Sequence, residues 1–396
     1  MATDQLVAAA GPPAQGADAG AELKVELQPP RSKRLVSLTL ANPLKDPAAN
    51  ASVSTLVTTA SAVALERVMV RHPDLDQSAA YRLIEWIATS ILEAEKTIYL
   101  HEGGHARVIA EAGGHPDIDM GFGKAVTWFN FEPGERPDPK RMADISGAGI
   151  TQVSLNARDN YIQWARHGDA YYQEAAAYVF ESMHAALYAG RSLLRGGDAP
   201  AGDDVRDYVI EMERAGVSLS RGQVFAVGLA TALASSPNLW SATAGQWRFL
   251  LDGKRRGNEL PAFKIGDTTF TWPHFYTAVS GAGLFAGGTF AVNPDKKLPL
   301  TVDLLARVDD WSAAAAKVQL CDMPLASDWL AVSPFFGMSI DPKQGLGGTV
   351  GAEVVATKGD AELGVTVAAR HRDLYGAATA EKTSGLTLGV RVGWRF

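Results

Sequence analysis

The last 13 residues alternate between apolar and polar positions without a break. Leu386, Leu388, Val390, Val392, Trp394 and Phe396 fall on one face of an extended chain, and small or charged residues fall on the other. The same period of two recurs upstream and predicts eight strands. They cover about 268–280, 282–293, 299–309, 313–323, 328–341, 347–358, 361–373 and 384–396. The runs 244–251, 23–27 and 36–40 are candidates for additional strands.

From about 52 to 255 apolar residues recur at helical spacing instead. A stripe after the possible N-caps Asp76 and Ser78 predicts an amphipathic helix of a soluble domain. The stripe consists of Tyr81, Ile84, Ile87, Ala88, Ile91 and Leu92. Further helices are expected at about 97–112, 159–194, 203–215 and 220–235, the first of them ended by Gly113-Gly114. Residues 114–150 form a Gly/Pro/Asp-rich connection, either functional or partly disordered.

These patterns predict an α+β protein with three parts. Residues 1–51 are a flexible segment, in which 23–27 and 36–40 form either a short hairpin or an extended linker. Residues 52–255 are a helical domain. Residues 256–396 are an antiparallel β domain.

Composition narrows the class of protein. The chain has 396 residues, 46% hydrophobic and 20% charged, which excludes a wholly disordered chain. Cys321 is the only cysteine, so a disulfide-stapled scaffold is excluded. A net charge of -7 argues against nucleic acid as the main partner. The chain contains no run of about 18 apolar residues, so no transmembrane helix is expected. The N-terminus lacks a signal-peptide pattern, so the chain is either cytoplasmic or already processed.

One motif carries chemistry. In His101-Glu102-Gly103-Gly104-His105 the two histidines lie four residues apart, on one face of a helix. That spacing lets two imidazoles bind one zinc ion, while Glu102 lies beside the metal and accepts a proton from water. Two adjacent glycines destabilise a helix by about 1 kcal/mol each relative to alanine. A closely packed helix or a bound substrate strand explains why they are present.

The stretch from Leu100 to Ala106 resembles the zinc-binding helix of zinc metallopeptidases, and with Gly113-Gly114 it is more similar to the site-2-protease group than to thermolysin-like enzymes. The resemblance implies a zinc-dependent peptidase in which Glu102 is the general base. Ser146-Gly147-Ala148-Gly149 resembles the glycine-containing segments that pack beside the zinc helix in that group. The helical half is more polar than the membrane-embedded helices of those enzymes.

A catalytic zinc needs a third protein ligand. The resemblance to the site-2 group favours a downstream aspartate, and we expect Asp204 first. Glu181, on a second helix, is the ligand type of thermolysin-like enzymes and is the next candidate. Asp203 is more readily explained as a helix N-cap, and His184 as a partly buried structural histidine.

The C-terminal strands suggest a location. In a soluble sandwich the apolar face is the core, whereas in an outer-membrane barrel it contacts lipid and the other face lines the interior. Glycines and charges on the second face favour a transmembrane barrel of about eight or more strands. Ending on Phe396 resembles the C-terminal signature of Gram-negative outer-membrane barrels. We therefore expect the outer membrane of a Gram-negative bacterium, with its lipid as a partner and the signal peptide removed.

Three functions are compatible with these patterns. The first is an outer-membrane zinc hydrolase, most simply a metallopeptidase with a peptide or protein substrate. The second is a structural or transport-associated barrel with a non-catalytic zinc-binding helical domain. The third is an interfacial lipid hydrolase. Glu102 favours the catalytic alternatives, since a purely structural zinc site has no use for a carboxylate beside its first histidine.

Overall fold

The computed structural model describes residues 35–39, 47–132, 134, 136–198, 200, 202–293, 300–325, 329–381 and 383–395. It is an α+β structure, as predicted. Its helices are α1 (Pro47–Arg71), α2 (Pro73–Gln77), α3 (Ala79–Glu111), α4 (Pro139–His167), α5 (Tyr172–Leu194), α6 (Asp204–Arg214), α7 (Arg221–Ala234), α8 (Ser236–Asp252) and α9 (Leu374–Ala378).

The strands form a small and a large antiparallel sheet. The small sheet is a hairpin of β2 (His115–Gly121) and β3 (Lys124–Asn130). The large sheet contains β1 (Leu35–Thr39), β4 (Ala262–Ile265), β5 (Thr268–Thr271), β6 (His274–Ser280), β7 (Gly283–Val292), β8 (Leu300–Arg307), β9 (Ala314–Leu320), β10 (Met323–Pro324), β11 (Leu330–Asp341), β12 (Gly345–Lys358), β13 (Ala361–His371) and β14 (Gly385–Arg395).

Neighbouring strands in the large sheet are mostly neighbours in sequence. Its order is β1-β14-β13-β12-β11-β9-β8-β7-β5-β4, with β6 paired to β7 and β10 to β11. All eight predicted strand regions contain strand, although Trp272-Pro273 divides the first of them into β5 and β6. Within the described residues, the edge strands β1 and β4 do not pair with each other.

Other local predictions have mixed outcomes. Residues 35–39 do form a strand, but it pairs with β14, and the range 23–27 lies outside the described residues. The run 244–251 was wrongly considered as a strand and lies in α8. The connection from 114 to 150 contains the hairpin β2–β3 and the start of α4. Neither was predicted, because the segment is rich in Gly, Pro and Asp.

Helix α3 is longer than expected, because the two predicted helices at 81–92 and 97–112 are continuous. Ser78 is its N-cap, and its side chain accepts a hydrogen bond from the Tyr81 backbone N–H. The helix ends at Glu111, where Gly113 adopts a φ of +84° that favours glycine. One helix of 33 residues therefore carries both the apolar stripe and the histidine motif.

The predicted orientation of the first half of α3 is wrong. Its apolar stripe is largely exposed, as Ile84 (65%) and Leu92 (67%) show, whereas Arg82, Glu85 and Glu93 are buried. The reason is that Glu85 pairs with Arg255, and Glu93 with Lys96, inside the helical bundle. Periodicity marked two faces correctly but did not show which face is inside.

The large sheet also has two unlike faces. The face directed toward α4 and α9 lines a cavity of about 310 Å³ with residues such as Asp303, Lys317 and Glu353. The opposite face exposes apolar residues, including Phe336, Val350, Leu363, Leu386 and Leu388. Arg391 pairs with Glu353 and Glu362, with both closest N–O distances 2.8 Å. Arg370 pairs instead with Glu381 and Asp373.

Helices and sheet belong to one compact unit. Helix α4 joins them, because it packs against α3 on one side and β6 on the other. Gly147 permits the contact with β6, since a Cβ there would lie 2.5 Å from the Val279 carbonyl oxygen. A search of the described helices identifies none with the length and hydropathy of a membrane span.

Candidate metal centre

The histidine motif lies in the buried second half of α3. His101, Glu102 and His105 are all 9% exposed or less. Helix α4 packs so closely here that a Cβ at Gly104 would lie 2.6 Å from the Ala148 carbonyl oxygen. This contact accounts for one glycine of the motif. A close helix neighbour, as the sequence suggested, offsets its low helix propensity.

Gly149 on α4 makes room for the two imidazoles. A Cβ at this position would lie 2.6 Å from Nε2 of both His101 and His105. Such a contact is far below van der Waals distance, so any larger residue would displace the histidines. The Ser146–Gly149 run therefore packs beside the histidine helix.

Asp204 completes a group of three possible metal ligands. It is the first residue of α6, and its Oδ2 lies 2.7 Å from His101 Nε2 and 3.0 Å from His105 Nε2. The two Nε2 atoms are 3.1 Å apart. Asp203, the preceding residue, caps α6 by accepting a hydrogen bond from the Arg206 N–H. The cap fixes the helix start that directs Asp204 toward the histidines.

The donor set fits zinc in type and nearly in spacing. Two imidazole nitrogens and one carboxylate oxygen leave a fourth tetrahedral position for water. At zinc bond lengths of roughly 2.0–2.1 Å, tetrahedral ligand atoms are about 3.3 Å apart. The observed 2.7–3.1 Å distances would have to open by roughly 0.2–0.6 Å.

The second nitrogen of each histidine is fixed by the protein. His105 Nδ1 donates to the Ile145 carbonyl oxygen at 2.6 Å, so its Nε2 is directed at Asp204. His101 Nδ1 lies 2.9 Å from His184 Nε2. Burial, followed by the neighbouring His101, lowers the pKa of His184 to about 3, so that ring is neutral. With His101 Nε2 directed at Asp204, the tautomer that carries its proton on Nδ1 would donate to His184 Nε2. Such contacts orient metal ligands and raise their basicity.

The electrostatics of the group reflect its compactness. Burial disfavours the charged form of His105, but Asp204 and then Glu102 outweigh it and raise the pKa of His105 to about 9. Burial also acts against the Asp204 carboxylate, yet His105 and His101 outweigh it and hold the Asp204 pKa well below its usual range. A cation is therefore favoured beside Asp204, whether it is a proton on His105 or a metal ion.

Two residues missed by the sequence analysis join the site. Thr127 on β3 donates from Oγ1 to Glu102 Oε2 at 2.7 Å, which holds the proposed general base in place. The Tyr188 ring lies 4.7 Å from that of His101, and burial and Asp204 raise the pKa of Tyr188. Tyr188 follows His184 by four residues on α5, a spacing that offered a signal. Nothing local marked Thr127, because its strand was not predicted.

Glu181 lies outside the ligand group, although it precedes His184 by one turn of α5. Its side chain accepts a hydrogen bond from Asn160 at 2.6 Å and lies 3.5 Å from Lys96 Nζ. Burial raises the pKa of Glu181 to about 7 despite the neighbouring Lys96. Of the two candidate third ligands, the structure brings only Asp204 to the histidines.

Comparison of the chain with known protein families, curated proteins and solved structures finds no match. The candidate metal centre is therefore interpreted from its own geometry.

Proposed function

We propose that this protein is a zinc-dependent hydrolase, most simply a metallopeptidase, of the Gram-negative outer membrane. The observation that carries the proposal is the convergence of His101, His105 and Asp204 beside Glu102. A carboxylate next to the first histidine fits a catalytic role better than a structural one. A structural zinc site would use four protein ligands, commonly cysteines, and leave no position open.

In this proposal His101, His105 and Asp204 hold zinc, which supplies the Lewis acidity that makes water a nucleophile at neutral pH. Glu102 accepts the proton of the attacking water and returns it to the leaving group. Thr127 keeps Glu102 in position, while His184 and Ile145 orient the two imidazoles. Tyr188 stays neutral and is a candidate hydrogen-bond donor near the reacting carbonyl.

An extended peptide is the substrate class favoured by the neighbouring strand. β3 carries Thr127 and pairs with β2 along one edge. Among the described residues no strand pairs with its other edge. An unpaired edge can bind an extended peptide by main-chain hydrogen bonds. This feature supports a peptidase over the lipid-hydrolase and non-catalytic alternatives.

Glu102→Gln tests the chemistry. The amide keeps the size of the side chain but cannot accept the proton, so peptide hydrolysis should fall by about 10²–10⁴-fold. Zinc content should be unchanged, because Glu102 is not a ligand. Glu111→Gln is the matched control, since it lies on the same helix and pairs with Arg107 and Arg141 away from the site. Wild-type protein prepared without chelators and lacking zinc would contradict the metal assignment.

The membrane placement rests on the sheet. We propose that its strands form a transmembrane β-barrel whose exposed apolar face contacts outer-membrane lipid, with Arg391 and its two glutamates inside. Because an unpaired strand edge is costly in hydrocarbon, this arrangement requires closure between the β1 and β4 edges. The full chain should then need detergent to remain dispersed. A stable monomer in detergent-free buffer would exclude this placement without affecting the zinc prediction.

A further inference from the structure

The first half of α3 has its apolar residues outside and its charges inside. Leu83, Ile84, Ile87 and Ile91 are between 42% and 65% exposed. Arg82, Glu85 and Glu93 are 5–8% exposed. Water-soluble helices show the opposite distribution, because apolar side chains gain by leaving water. The exposed stripe therefore points to an apolar environment.

Ion pairs and hydrogen bonds fix this orientation. Arg82 donates to the carbonyl oxygens of Leu250 and Leu251 at 2.9 and 3.0 Å. Glu85 is bound by both terminal nitrogens of Arg255 at 2.6 Å. Rotating α3 to bury its isoleucines would leave these charges without their partners, which is strongly unfavourable. The exposed stripe is thus a stable property of the bundle.

Helix α8 extends the apolar stripe. Trp86 on α3 donates to Gln246 at 3.0 Å, which places the two helices side by side. Next to this contact, Trp247 is 58% and Leu251 is 69% exposed. Together these side chains define a helical apolar surface. It consists of Leu83, Ile84, Ile87, Ile91, Trp247 and Leu251.

Exposed charged residues, mostly basic, lie near this surface at the ends of α1 and α8. Arg71 ends α1, Arg248 lies in the last turn and a half of α8, and Lys254 follows that helix; all three are exposed, as is the acidic Asp252 next to Leu251. The ends of α1 and α8 meet, because Glu66 pairs with Arg256 at 2.6 Å. Basic side chains beside an apolar surface complement anionic lipid headgroups and extend toward them along their aliphatic stems.

We propose that the helical apolar surface lies in the acyl region of a lipid bilayer, with Arg71, Arg248 and Lys254 at the level of anionic headgroups. From Leu83 to Ile91 the helix rises about 12 Å along its axis, well short of the roughly 30 Å of a bilayer's hydrocarbon core. His101 lies ten residues beyond Ile91 on the same helix, so the metal centre would lie about 15 Å further along the helix. The inference concerns lipid contact and does not depend on hydrolysis.

The test uses the full chain with Cys321→Ser and one spin label at Ile87→Cys, in vesicles of phosphatidylethanolamine with a minority of phosphatidylglycerol. The rate at which the label collides with oxygen, which concentrates in the acyl region, is compared with its collision rate with a water-soluble nickel complex. The label at Ile87 should collide more often with oxygen than with nickel. A label at Glu213→Cys, an exposed residue of α6, should favour nickel. If Ile87→Cys fails to fold, Ile84→Cys provides the same measurement.

Two outcomes would overturn the proposal. One is a nickel-accessible label at the α3 position. The other is a label shielded from both reagents and dipolar-coupled to a second label, which would indicate a second copy of this chain as the occupant. A separate label at Leu388→Cys reports on the sheet. The helical surface and the proposed barrel can therefore succeed or fail independently.

Discussion

Helix α6 and the first half of α3 distribute polarity in opposite ways. On α6 the apolar residues Val205, Tyr208 and Met212 are buried, while Glu213 and Arg214 are exposed. On α3 the isoleucines are exposed and Arg82 and Glu85 are buried. Both helices have a regular amphipathic period. The hydrophobic period therefore identifies two faces of a helix, but the partners available to its charged residues decide which face is inside.

The largest stability effect should come from a buried charge on α3. Glu85→Ala leaves Arg255 and the Tyr172 hydroxyl without their carboxylate, since both contact Glu85 Oε1. Removing one partner of a buried pair costs about 3–5 kcal/mol. The free energy of unfolding, measured in detergent with denaturant, should fall by that amount. Glu213→Ala on α6 is the control, and an equal effect of the two variants would erase the contrast between the helices.

Removing an apolar side chain should matter more on α6 than on α3. Met212→Ala leaves a cavity at a buried position on α6 and should lower the free energy of unfolding by about 2–5 kcal/mol. Ile87→Ala on α3 removes a side chain that is about half exposed, so in detergent the loss should be clearly smaller than that of Met212→Ala. A large loss from Ile87→Ala would show that this stripe is buried in the folded protein.

The sheet extends the comparison to strands. Val390→Arg should cost about 2–4 kcal/mol if the position lies near the bilayer midplane, because the charge would enter hydrocarbon. The free energy of folding into vesicles should show this cost. The cost should be much smaller for Thr387→Arg, which lies on the opposite face of β14. Equal costs at the two positions would argue against a lipid-facing and an inner side.

Another stability effect depends on pH. The pKa of Glu181 is about 7 in the folded state, above its usual value of 4.5, so the folded protein retains this proton between those values. Stability from this group is therefore lost as pH rises from about 4.5 to 7. Glu181→Gln should gain stability relative to wild type across that window, on the order of 1 kcal/mol per pH unit. Melting curves at several pH values measure this gain, and a pH-independent difference would contradict it.

Most of the local structure and part of the site could be predicted from sequence patterns. Period two located the strand regions of the sheet. The four-residue spacing of His101 and His105 placed both on one side of α3. These features depend on backbone geometry, which short-range sequence patterns report directly.

The contacts between groups far apart in the chain required the three-dimensional fold. It selected Asp204 over Glu181, because α6 begins beside the histidines while Glu181 is bound by Asn160 and Lys96. It brought Thr127 to Glu102 from an unpredicted strand. It also turned the isoleucines of α3 outward. Each outcome depends on long-range packing and on the pairing of buried charges. Neither of these produces a periodic pattern in the sequence.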